Sequence, residues 1–230
     1  MADPVRLIIH GGQDGLPDAA AYYRTFPREP SPAGAMDLSP GLTTVLATGS
    51  FDLVLDQMVK AKVGDVVMLV CHAYPDGILL HLTDKDSALV ERVTIERLEK
   101  VASARTEAAR IGPLPEEKAQ IAAWKKLLDR IAPGAVQGTF TAAEAEKFFA
   151  NWLDVQAGDL KLKGAPPRTT LGRLLDKIER VQKLQLGRVE LRACNLGSSN
   201  AGMQAAKRLF GCKKLLAPAV GTFFMSQLPV

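Results

Sequence analysis

The sequence predicts an α/β fold: a mostly parallel sheet flanked by helices, with an all-helical insertion. Three observations support this. Short apolar runs alternate with helical periods near both ends of the chain, the pattern of strands joined by helical crossovers. One run, Val66-Val67-Met68-Leu69-Val70-Cys71, is apolar without alternation, which requires burial on both faces, as in a parallel sheet covered by helices. From Ser87 to Leu186 the periodicity becomes helical throughout. At 230 residues the chain can bury one large core, with or without an insertion. The expected division is a core of residues 1–86 and 187–230, interrupted by a helical insertion over 87–186.

Val5 to Ile9 reads as a buried strand ending at His10-Gly11-Gly12. A long Pro- and Gly-rich loop follows, roughly 13–41, before a β-branched strand over Thr43–Thr48. Phe51, Val54, Leu55, Met58 and Val59 then fall on one helical face, with Ser50 placed to cap the helix and Asp52 in its first turn. Asp65 to His72 is the third strand, and the loop Ala73–Gly77 leads into a short strand over Ile78–Thr83. Four helices are expected next: Ala88–Arg110, Pro115–Ile131, one opened by the capping box Thr141-Ala142-Ala143-Glu144, and Thr169–Leu186. The sheet resumes at Arg188–Cys194. A helix follows over Asn200–Phe210, then a strand over Lys213–Ala217 and a further pairing segment over Val220–Phe224.

The composition excludes several function classes. Three cysteines argue against a disulfide framework and for a reducing compartment. The amino terminus shows no signal-peptide pattern, and no apolar run approaches the length of a membrane span. A cytoplasmic protein with no membrane partner is expected. The net charge of +4 comes from basic residues interleaved with acids, as in Asp176-Lys177-Ile178-Glu179-Arg180, and this marks solvated helix faces. No nucleic-acid partner is expected, since the basic clusters lack aromatic neighbours for base stacking. The Gly11-Gly12-Gln13-Asp14-Gly15 stretch lacks the glycine spacing of a dinucleotide loop.

Chemistry concentrates at two strand ends. Cys194 closes an apolar strand just before a helix amino terminus, where unpaired amide N–H groups favour a thiolate. His72 closes another strand, and histidine is the residue type suited to move a proton near neutral pH. If these two strands are neighbours, both residues face one cleft. With Cys71-His72 ending the apolar strand, Leu191-Arg192-Ala193-Cys194 ending the second, and the helix between the second and third strands, the chain resembles the caspase-like cysteine peptidases. That group contains caspases, metacaspases, gingipains, legumain and separase. The resemblance covers about Val5–Thr83 and Arg188–Phe224. It implies a cysteine endopeptidase acting on a polypeptide substrate without metal or other cofactor. Cys194 would be the nucleophile and His72 the general base, with the backbone N–H groups of Ala73 and Cys194 binding the oxyanion. Where the family has glycine after the histidine, this chain has Ala73, which keeps the N–H and adds a methyl. Caspases separate the two residues by about 50 positions; here the helical segment stands between them.

His10-Gly11 matches the family's His-Gly pair more literally, but the resemblance puts its strand out of reach of the cysteine strand. His10 is therefore expected to be a strand-end residue, and His81 structural. Cys71 should be buried and inert, and Cys212 a packing residue. Alternation along the strand puts Arg192 on the face of Cys194. The resemblance implies that this position lines the pocket for the side chain before the scissile bond. A guanidinium there favours an acidic side chain, and Asp76 joins it as a substrate-binding candidate. The alternative for Arg192 is a structural pair with Asp76, Asp84 or Asp86, or a position along the sheet edge. The alternative function is a catalytically silent caspase-like scaffold that binds a protein partner through its helical insert.

Overall fold

The computed structural model describes residues 5–11, 17, 20–21, 44–75, 77–83, 92–162, 167–193 and 195–218. Five strands form one parallel sheet: β1 (Val5–Gly11), β2 (Thr44–Thr48), β3 (Val66–Val70), β7 (Arg188–Arg192) and β8 (Lys214–Leu216). Their order is β2-β1-β3-β7-β8, with every pair parallel. Every residue of β3 is buried, as its unbroken apolar run requires of a central strand covered on both faces.

Helix α1 (Phe51–Met58) begins where Ser50 Oγ accepts from the Leu53 N–H, satisfying one of the unpaired donors of the first turn. Its buried residues, Phe51, Val54, Leu55 and Met58, form four of the five positions of the expected face; Val59 is the C-cap and only half-buried. Helix α6 (Asn200–Phe210) is capped likewise by Ser199, and the edge of Phe51 meets Phe210 with ring centroids 6.2 Å apart. Gly211 ends α6 at φ 57°, the left-handed conformation that glycine adopts without cost.

Between β3 and β7 the chain forms β4 (His72–Tyr74), β5 (Gly77–Leu79) and β6 (Arg92–Thr94), an antiparallel sheet in the order β4-β5-β6. Four helices follow: α2 (Ile95–Ile111), α3 (Glu117–Ile131), α4 (Ala142–Asp159) and α5 (Pro167–Lys183). The Thr141–Glu144 capping box forms as predicted, with each side chain bonded to the other residue's backbone N–H.

Several boundaries differ from expectation: β7, expected to run to Cys194, stops at Arg192, and α5, expected over Thr169–Leu186, is Pro167–Lys183. The third strand stops at Val70, and His72 opens a separate hairpin. The strand expected over Ile78–Thr83 is only Gly77–Leu79, with His81 bridging to Ser50. The first helix of the insertion begins at Ile95 because Arg92-Val93-Thr94 pairs with β5, and that pairing overrides the helical period. The segment Val220–Phe224 lies outside the described residues.

The chain divides into two compact units, Met1–Glu96 with Leu174–Val230, and Arg97–Arg173. Within the second, Trp124, Leu127, Leu128, Ile131, Ala145 and Phe149 form the centre of a helical core. Trp124 and Trp152 flank Phe149 at 5.7 and 5.6 Å between ring centroids.

Within the first unit, Lys177 of α5 binds two carboxylates of α1, Asp52 at 2.6 Å and Asp56 at 2.7 Å. Burial alone would lower the Lys177 pKa, but the hydrogen bonds and charges of both aspartates outweigh it and raise the group above 10.5. A raised folded-state pKa gives stability that is complete below the unfolded value and lost as pH rises through the folded one. Melting temperature is therefore expected to fall more steeply above pH 10.5 in the parent chain than in Lys177→Met. Identical alkaline limbs in the two chains would refute the linkage.

Candidate functional site

The carboxyl ends of β3 and β7 are neighbours. The register runs Val66↔Arg188 through Val70↔Arg192, and the Cys71 N–H donates to the Arg192 carbonyl at 3.2 Å. His72 and Cys194 each stand two residues beyond the Val70–Arg192 pair. Cys194 and Asp76 lie outside the described residues, as do Asp84 and Asp86.

His72 is half-buried and opens β4, paired with Leu79 across the hairpin. Ala73 beside it is buried and paired with Ile78. The turn that follows, at Pro75, meets the first turn of α6: a Cβ on Gly202 would lie 3.1 Å from the Pro75 carbonyl oxygen. The segment leaving His72 thus packs against the helix that follows Cys194 in sequence.

The turn from β7 into α6 is tight. Asn195 takes φ 60° and ψ −3°, a left-handed conformation that asparagine tolerates better than most residues. Its carbonyl accepts from the Ser198 backbone N–H at 3.0 Å and from Ser198 Oγ at 2.6 Å. Gly197 donates to the Pro218 carbonyl at 2.8 Å, tying this turn to the chain just past β8.

The other singled-out residues fall as follows. His10 is buried at the end of β1, with Nδ1 3.0 Å from the Gly11 carbonyl oxygen. Because β3 lies between β1 and β7, His10 is one strand removed from the cysteine strand. It shares a cross-sheet row with Val70 and Arg192. Cys71 and Cys212 are both buried. Burial pushes the Cys212 thiol up to about 11, so it is neutral at physiological pH.

Arg192 has 20% of its side chain exposed and lies 3.4 Å from Glu190, an acid on its own strand. Glu190 is not among the partners expected from sequence, which are the loop aspartates Asp76, Asp84 and Asp86. The signal was present in the spacing, because Arg188, Glu190 and Arg192 alternate and so share one face. Among the described residues no three His, Cys, Asp or Glu side chains are grouped to hold a metal ion, and no helix is long and apolar enough to cross a membrane. No family model matches the chain, and neither curated proteins nor solved structures give a significant match.

Proposed function

We propose that the chain is a caspase-like cysteine endopeptidase, with Cys194 as nucleophile and His72 as general base and then general acid. One observation carries this reading: β3 and β7 are adjacent, parallel and in register up to Val70–Arg192, and His72 and Cys194 lie at the same offset beyond that pair. Adjacent strands lie about 4.8 Å apart, a spacing that allows a thiol and an imidazole to share a proton. The His72 general base takes the thiol proton, and the thiolate attacks the scissile carbonyl. Backbone N–H groups of Ala73 and Cys194 stabilise the oxyanion. The imidazolium then protonates the leaving amine, and water releases the acyl group.

The half-buried Arg192 beside this strand end supports preference for an acidic side chain before the scissile bond, with Asp76 as a further pocket residue. Buried thiols at Cys71 and Cys212 support a reducing compartment such as the cytoplasm.

A peptidyl electrophile followed by mass mapping tests the assignment. Modification of Cys194 is expected, with Cys71 and Cys212 unmodified because both are buried. Modification that falls elsewhere, or is unchanged by a competing peptide, overturns the peptidase reading. It leaves the silent scaffold that binds a protein partner through its helical insert. Ala73 in place of the usual glycine favours that second reading.

A further inference from the structure

Three charged side chains follow one another along one face of β7. Glu190 is 1% exposed, Arg188 Nε approaches its Oε1 at 2.7 Å, and Arg192 Nη2 approaches its Oε2 at 3.4 Å. Each carboxylate oxygen faces a different guanidinium, so Glu190 bridges the two arginines. Elsewhere its row across the sheet is apolar: Ile8 on β1, Met68 on β3 and Leu216 on β8. An apolar side chain would fill that position without the desolvation a carboxylate incurs, and buried ion networks are weak contributors to stability. The arrangement therefore asks for a task other than packing. Arg192, at the carboxyl end of the strand, is the more exposed of the two arginines.

We infer that Glu190 is a positioning residue that holds the Arg192 guanidinium in one orientation, so that the cleft distinguishes a carboxylate from its amide isostere. The inference rests on the reading of Arg192 as a pocket residue. An arginine side chain carries many rotamers, and a planar fork recognises a carboxylate bidentately only when its plane is fixed. Glu190 supplies that constraint from beneath, and Arg188 in turn keeps the Glu190 carboxylate from turning away.

Binding can be read without turnover in the Cys194→Ala chain. The probes are two fluorescent tetrapeptide pools, randomised at three positions and ending in Asp or in Asn, followed by anisotropy. The parent is expected to favour the Asp pool by about 10-fold or more, the scale of a charge-assisted bidentate contact. Arg192→Gln should abolish that preference. Glu190→Gln should reduce it to within about 2-fold while leaving affinity for the Asn pool unchanged, a split that loss of a merely structural ion pair would not produce. Glu190→Asp, with the charge kept one methylene shorter, should fall between. Absence of any preference in the parent overturns the pocket reading and this inference together. Loss of preference in Arg192→Gln but not in Glu190→Gln overturns this inference alone. Should Glu190→Gln fail to fold, undiminished preference in Glu190→Asp decides against it.

Discussion

Cys194→Ala is expected to reduce peptide hydrolysis to background, and His72→Gln to lower kcat/KM by about 10²–10⁴-fold, the usual contribution of a positioned general base. The two losses differ in kind. Without the sulfur no acyl-enzyme can form. Without the imidazole the thiol remains but has no group to take its proton or return it to the leaving amine. The double variant should be no worse than Cys194→Ala alone, because residues that act as one unit are not additive. Two buried thiols serve as internal controls. Cys71→Ala and Cys212→Ser should retain kcat/KM, since neither thiol is exposed and that of Cys212 is neutral at physiological pH. His72 is half-buried in a hairpin rather than in the core, so melting of His72→Gln should stay close to the parent. Hydrolysis that survives Cys194→Ala would end the peptidase reading.

Much of the framework was legible because its signals are local. The unbroken apolar run of β3 announced a central strand, and Ser50 and the Thr141–Glu144 box announced helix starts that the hydrogen bonds reproduce. Adjacency of β3 and β7 was legible only conditionally. Nothing local fixes which strands pair, and the register came from the sheet itself. Two features escaped for related reasons. Arg92-Val93-Thr94 carries no strong period of its own and becomes a strand by pairing with β5. Glu190 carries no local signal of burial, and its significance depends on β7 lying between β3 and β8, where a carboxylate loses its water. Propensity and period describe a segment; burial on both sides of a strand is a property of its neighbours.

Gly197→Ala joins fold and site, and is expected to damage both. The glycine lies in the turn that follows Cys194 in sequence, and an alanine Cβ there would stand 2.4 Å from the Ala217 carbonyl oxygen and 2.8 Å from that of Pro218. Both neighbours are backbone, so neither can rotate aside as a side chain would. The Gly197–Pro218 hydrogen bond at 2.8 Å holds the two segments at that separation. Relief requires the turn or the chain past β8 to shift, at a cost of about 1–3 kcal/mol, typical of overpacking. For a chain of this size that lowers the melting temperature by about 2–12 °C. On the peptidase reading, a shift of about 1 Å in a turn adjoining the proposed nucleophile can by itself cost about 10²-fold in rate. Gly158→Ala is the matched control. That glycine lies in the last turn of α4, has nothing within 4 Å of its would-be Cβ, and its replacement should leave melting unchanged or raise it slightly. Melting and kcat/KM unchanged in Gly197→Ala would mean that the turn has room the geometry denies, and that the position of the proposed nucleophile does not depend on this clamp.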